Sequence, residues 1–142
     1  VEGGRVSIHN LHLRGFRAAS SIDDIDDGHG LFFIDADVAV SDVTLEHIEK
    51  MAVTVRGTSA VRADRLLIQG GHVGIWLEES ASLRLNDSIV KHNESAGICA
   101  YGHASAKIYN AVFDTEALSL THRPNTDFKV ALPIYIGPAP LS

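Results

Sequence analysis

Four short segments of this chain share one residue pattern and follow one another at an almost constant spacing. They begin at Gly30, Ala52, Gly74 and Gly97, so the spacings are 22, 22 and 23 residues. A turn of small residues follows each segment, and two more short runs of alternating residues complete the repeat. One such repeat cannot bury its apolar side chains alone, so successive repeats must stack to form a core.

The alternation inside each repeat indicates strands rather than helices. Side chains that alternate with a period of two belong to strands with one buried face. Strands stacked about 4.8 Å apart would enclose a continuous apolar core. The sequence therefore predicts an all-β fold, a right-handed single-stranded parallel β-helix of about five rungs. Each rung would hold three short strands, and long loops are expected near residues 15–29 and 115–132.

One repeat carries a resemblance to a known group of proteins. Gly74-Ile75-Trp76-Leu77, followed by Leu-Arg-Leu-Asn-Asp-Ser-Ile-Val at residues 83–90, resembles the repeat of the pectate-lyase-like superfamily. The resemblance covers residues 5–114 and implies a tight bend at residues 86–88, between the second and third strands of a rung. It further implies that a polysaccharide would lie on the wall built by the first strands, and that the protein works outside the cell or at its surface.

The pattern leaves two points of organisation open. Residues 41–52 also fit an amphipathic helix, which would break the repeat register. Near the end of the sequence, residues 134–137 (Ile-Tyr-Ile-Gly) repeat the first-strand pattern, so Tyr135 is predicted to extend the first wall. Residues 1–142 are interpreted as one β-helix domain, or as a segment of a longer β-helix.

Composition narrows the class of protein. The chain has 142 residues, of which 45% are hydrophobic and 21% charged, which is typical of a globular domain. No apolar run is long enough for a membrane helix, so membrane insertion is not expected. The formal net charge of −6 argues against nucleic acid as a partner. A single cysteine, Cys99, excludes an internal disulfide.

Aromatic side chains are predicted in one file on the outer side of the first wall. The file would contain Phe33, Trp76 and Tyr135, with Tyr101 beside it. Flat rings spaced along a coil can stack against sugar rings, so these four residues are candidate ligand-binding residues. The alternative is that the rings stack on one another, or that a loop covers them.

Charged residues are predicted next to this aromatic file. Asp35, Arg56 and Glu78 would be neighbours on successive rungs. In a lyase-like site the carboxylates would bind Ca²⁺ and the arginine would take a proton, which makes the three residues candidate catalytic groups. The alternative is a charge ladder that only stabilises the stack.

The other two walls carry different surfaces. The second wall would display Arg62, Arg84 and Lys107 in line, a stripe suited to an acidic polysaccharide, or else a solvated face paired with nearby acids. The third wall would be apolar at Leu67, Ile89 and Val112, and the 115–132 loop, the tail of the chain or a partner chain is expected to pack there.

An acidic run precedes the first repeat. Asp23, Asp24, Asp26 and Asp27 offer oxygen ligands of the kind that Ca²⁺ prefers. Their spacing does not follow the EF-hand order, because Ile25 stands where a ligand belongs, so a solvated acidic loop is the alternative. No other metal or cofactor is expected.

Three functions remain compatible with these patterns. The first is a non-catalytic β-helix that binds carbohydrate or serves in surface display, and the aromatic wall favours it. The second is part of a polysaccharide lyase, epimerase or hydrolase acting on an acidic polysaccharide. The third is a structural element that stacks end to end, as a homo-oligomer or on the remainder of a longer chain. The catalytic residues typical of the superfamily are not matched, so binding and assembly are preferred over catalysis.

Overall fold

The chain folds as a parallel β-solenoid, as the repeat predicts, with about four turns rather than the expected five. The computed structural model describes residues 1–15, 28–94, 96–113, 118–122, 127–130 and 134–136, and within these ranges it contains no helix. The strands are β1 (Arg5–Arg14), β2 (Leu31–Ile34), β3 (Asp37–Glu46), β4 (Met51–Arg56), β5 (Ala60–Gln69), β6 (Val73–Leu77), β7 (Ser82–Lys91), β8 (Ala96–Ala100), β9 (Ser105–Phe113), β10 (Leu118–His122), β11 (Asp127–Val130) and β12 (Ile134–Ile136).

These strands form two parallel sheets. The smaller sheet has the order β10-β8-β6-β4-β2, and the larger has the order β1-β3-β5-β7-β9-β11, with β12 also paired to β9. Each of the four turns therefore contributes one short strand to the smaller sheet and one long strand to the larger. A bridge between Glu2 and Ile34 adds one further pairing beside β2.

The second and third strands predicted for each rung are one continuous strand with a bend. In β1, β3, β5, β7 and β9 the sixth residue has a positive φ between 51° and 54°, which reverses the side-chain alternation at that point. These residues are Asn10, Asp42, Arg65, Asp87 and Asn110. Asparagine and aspartate adopt this left-handed conformation more readily than most residues. The bend predicted at residues 86–88 is confirmed by Asp87.

The core lies between the two sheets and is built from files of like residues. One file is formed by Phe33, Val55, Leu77 and Ala100, none of which has any exposed surface. Burying an apolar side chain of this kind contributes roughly 1.5–3 kcal/mol, so the stacked files supply most of the driving force for folding.

One alternative and one expectation about local structure are wrong. The helix that residues 41–52 could also have formed is absent, because β3 continues to Glu46 and β4 begins at Met51. The region 115–132 is not one long loop, because it contains β10 and β11. Most of the predicted loop at residues 15–29 lies outside the described residues. Within the described ranges, no helix is long and apolar enough to cross a membrane.

Candidate functional site

The outer face of the smaller sheet carries an aromatic file, shifted by one residue from the predicted one in β2. Strand pairing places Phe32, Thr54, Trp76 and Cys99 in one outward file. Phe33 points into the core and is fully buried, so its predicted role in ligand binding is wrong. All four residues of β2 are apolar, and alternation alone therefore does not show which of them face outward.

Tyr135 does not belong to this face. Strand β12 pairs with β9 in the larger sheet, where Tyr135 is in register with Val112. The residue in register with Cys99 is Thr121 of β10. The prediction that residues 134–137 repeat a first strand is therefore wrong, because β10 occupies that place in the smaller sheet.

Trp76 and Tyr101 form the centre of a concavity on this face. Their ring centroids are 4.5 Å apart with an angle of 37° between the ring planes. The concavity has a volume of about 530 Å³. Its floor is formed by Met51, Val73, Trp76, Cys99 and Tyr101 together with the buried Lys50, and its rim by Glu49, His72 and Glu94. We refer to these nine residues as the aromatic concavity. Apolar rings surrounded by polar side chains are typical of small-ligand sites.

The orientation of Trp76 is fixed by a hydrogen bond as well as by stacking. Its Nε1 donates a hydrogen bond to Glu78 Oε2 at 2.8 Å. Glu78 in turn forms an ion pair with Arg56, with 3.7 Å between Oε2 and Nε, and Arg56 Nη2 donates a hydrogen bond to Glu79 Oε1 at 3.0 Å. Within the described residues the buried Arg56 Nε has no hydrogen-bond partner, so the opposite charges of Arg56, Glu78 and Glu79 form a charge ladder next to the tryptophan ring.

Asp35 lies outside that ladder. It occupies the turn after β2 with a φ of 51° and aligns with Gly57, not with Arg56. Its Oδ1 accepts hydrogen bonds from the backbone nitrogen of Thr58 at 2.9 Å and from the Thr58 hydroxyl at 3.3 Å. The predicted trio of Asp35, Arg56 and Glu78 is therefore not assembled, because the aspartate is used to shape the turn.

A smaller recess of about 190 Å³ continues the concavity beyond Trp76. Here His29 Nδ1 lies 2.9 Å from the Thr54 hydroxyl, and the His29 and Phe32 rings meet edge to face with centroids 4.9 Å apart. Sequence reasoning missed His29 and Phe32, as well as the concavity residues Met51 and Val73. Met51 and Val73 each precede a small inward residue, Ala52 or Gly74, where the strict alternation of inward and outward side chains is interrupted.

Cys99 is a packing residue of the concavity. Burial raises the pKa of its thiol, although a hydrogen bond with Tyr101 acts in the opposite direction. A thiol with a raised pKa is protonated at neutral pH and is a poor nucleophile.

The predicted basic stripe lies on the other sheet. Arg62, Arg84 and Lys107 are in register on β5, β7 and β9, and all three are exposed. The aromatic and basic groups therefore do not converge on one site.

No metal site is found among the described residues, since none of them form a group of three possible ligands. Asp23, Asp24, Asp26 and Asp27, the candidate Ca²⁺ ligands, lie outside the described residues.

The fold and the concavity define this chain as a parallel β-solenoid with an aromatic surface site. No protein-family model matches the chain, and the comparisons with curated proteins and with solved structures found no match either. The shape of the site and the chemistry of its side chains are therefore the basis for assigning a function.

Proposed function

We propose that this chain is a non-catalytic β-solenoid module that binds carbohydrate through the aromatic concavity. The observation that carries the proposal is the pair of adjacent rings, Trp76 and Tyr101, on the apolar floor of a concavity with a polar rim. The resemblance of the repeat to the pectate-lyase-like superfamily supports it, since that resemblance implies a polysaccharide on the same wall. An extracellular or cell-surface location follows from the same resemblance.

The geometry suits a sugar ring in two respects. A pyranose has an apolar C–H face that packs on an aromatic ring, and hydroxyl groups around its edge. Trp76 supplies the ring, and the rim residues Glu49, His72 and Glu94 supply hydrogen-bonding groups for the hydroxyls. Because Glu78 and Tyr101 already hold the tryptophan in place, binding costs little side-chain entropy.

Two alternatives keep some support. Arg56 and Glu78 lie beside the concavity, as a lyase, epimerase or hydrolase acting on acidic polysaccharide would require, but the ion pairs of Arg56 favour a structural role. End-to-end assembly is supported by β1, whose outer edge pairs with no strand of the described residues. Its residues Ile8, Leu11 and Leu13 are only partly buried.

Calorimetric titration with a panel of neutral oligosaccharides tests the proposal. We expect Trp76→Ala to weaken binding of a panel ligand at least about tenfold, a loss of about 1.4 kcal/mol, because stacking on the ring is lost. The matched control is Ile89→Ala, which removes an exposed apolar side chain from the larger sheet and should leave the affinity unchanged.

The outcomes separate the alternatives. Equal affinity of Trp76→Ala and the Ile89→Ala control, or the absence of binding to the whole panel, contradicts the proposal. Unsaturated uronides formed from polygalacturonate in the presence of Ca²⁺, detected by their ultraviolet absorbance, would establish the lyase alternative instead. Thermal unfolding of each variant shows whether a loss of binding reflects a loss of fold.

A further inference from the structure

We propose that the larger sheet carries a second, independent binding site, in which Arg62, Arg84 and Lys107 hold an acidic polysaccharide along the axis of the coil. We refer to these three residues as the basic file. Strand register places them directly above one another on consecutive turns. The register continues to Lys129 of β11, which pairs with Lys107. Neighbouring strands lie about 4.8 Å apart, so the file presents a positive charge at each step of that length.

The basic file lacks the charge compensation that the same sheet shows elsewhere. On the bend, Arg65 binds the carboxylate of Asp42 through two hydrogen bonds of 2.6 and 3.0 Å. In the basic file, by contrast, Arg62 approaches a carboxylate only at 4.0 Å, in Asp37. Like charges in register repel each other, so a file without acids is stabilised by an external anion.

Arg84 and Lys107 are the residues that most need such an anion. The guanidinium carbon of Arg84 lies 5.2 Å from the centre of the Tyr109 ring, which orients the group without neutralising it. Among the described residues, no carboxylate forms an ion pair with Arg84 or Lys107. Two exposed cations thus lie side by side.

The surroundings of the file extend it into a shallow site. A recess of about 350 Å³ contains the basic file together with Ser82 and Ser105, which are in register with each other. Their hydroxyls can bond to neutral sugar oxygens while the cations meet the acidic groups. Asp37 lies at the Arg62 end of the recess and would repel an anion there. The strongest binding is therefore expected at Arg84 and Lys107.

An acidic polysaccharide fits this site better than a nucleic acid does. Single-stranded nucleic acids are held by aromatic rings on which the bases stack, as well as by cations. The aromatic ring beside the file, that of Tyr109, is already covered by Arg84.

The test compares two double variants that remove the same number of positive charges. Arg84→Ala/Lys107→Ala should weaken binding of oligogalacturonate or a sulfated oligosaccharide at least about tenfold and flatten its salt dependence. The matched control, Arg14→Ala/Lys91→Ala, removes two cations from the same sheet beyond the bend. It should change the affinity little.

Three results would overturn the inference. One is no binding of either acidic oligosaccharide by the wild-type protein at low salt. Another is an equal loss in the control variant, which would show a non-specific charge effect. The third is tighter binding of oligouridylate than of both acidic oligosaccharides, which would show a nucleic-acid site. Trp76→Ala should leave binding at the basic file unchanged, so failure of this site and failure of the aromatic concavity are distinguishable.

Discussion

At the scale of single residues, buried polar side chains hold the bends of the coil in shape. Ser88 is only 2% exposed, and its hydroxyl accepts the backbone N–H of Leu66 at 3.0 Å and donates to the carbonyl of Asn86 at 2.8 Å. Asn93 plays a similar part at another corner, where it accepts the N–H of Gly71 and donates to the carbonyl of Lys91. Backbone groups that the bend removes from ordinary strand pairing are thereby satisfied.

Ser88→Ala tests the importance of these bonds. The variant leaves the buried N–H of Leu66 without its acceptor, so we expect the free energy of unfolding to fall by about 1–3 kcal/mol. Chemical denaturation monitored by circular dichroism measures the change. Ser82→Ala is the control, because the Ser82 hydroxyl makes no hydrogen bond within the described residues and lies on the same strand. Equal stability of the two variants would contradict the assignment.

At the scale of strands, polar ladders connect the outer faces of successive turns. Gln69 donates to Glu46 at 2.6 Å, and Asn86 donates to Asp64 at 2.9 Å. The left-handed bend residues form another such ladder, since Asn110 donates to Asp87 at 2.5 Å. These bonds join residues about one repeat apart and therefore favour one register over its neighbours.

Stability is expected to fall in acid because of two of these carboxylates. The hydrogen bond from Arg65 holds the pKa of Asp42 below its usual 3.8, and the bond from Gln69, followed by that of His12, holds the pKa of Glu46 below its usual 4.5. A carboxyl whose pKa is lowered by folding stabilises the protein above its unfolded pKa. That contribution is lost as the pH falls through the folded value.

We therefore expect the melting temperature to decline as the pH falls below about 5, and to decline less steeply in Asp42→Asn. Differential scanning calorimetry at a series of pH values measures both slopes. Glu2→Gln removes an exposed carboxylate without an ion pair among the described residues and should keep the wild-type slope. The same slope in Asp42→Asn and in wild type would be evidence against a role for the Asp42–Arg65 pair.

The strands also show what sequence patterns can and cannot determine. Alternation around Trp76 gave its outward direction correctly, because its neighbours Ile75 and Leu77 are apolar and fix the inner face. It failed at Phe33, which lies in a strand with apolar residues on both faces. It also failed at Tyr135, because β12 has a similar residue pattern but belongs to the larger sheet. The concavity itself depends on contacts between turns, which no single repeat contains.

At the scale of the whole molecule, the coil is a one-dimensional stack in which each turn touches only its neighbours. Such a stack exposes unpaired backbone and partly buried apolar residues at an open end. Strand β1 has this character, with ten residues and with Leu11 only partly buried against the core. A second copy of the chain that paired with β1 would extend the sheet.

Sedimentation over a concentration series tests this assembly. If β1 is the contact, Leu11→Lys should weaken self-association at least about tenfold, because a charge would have to be buried between the stacked ends. Ile89→Lys places the same charge on the outer face of the larger sheet and should have little effect. The reverse result would move the contact to the apolar file on that face, and a strict monomer at high concentration would exclude both.

The left-handed bend falls at the sixth residue of each long strand from β1 to β9, so the number of residues before the bend is constant although the links between strands vary in length. The turn after β2 contains residues 35–36, while the turn after β4 contains residues 57–59. The links between β3 and β4 and between β5 and β6, residues 47–50 and 70–72, also differ by one residue, in the opposite direction. Two corners of the coil thus accept an added residue, whereas one inserted inside a long strand would turn the outward side chains that follow it in that strand into the core. Duplication of a whole turn would keep that count intact, so this scaffold can grow by complete coils more easily than by single residues.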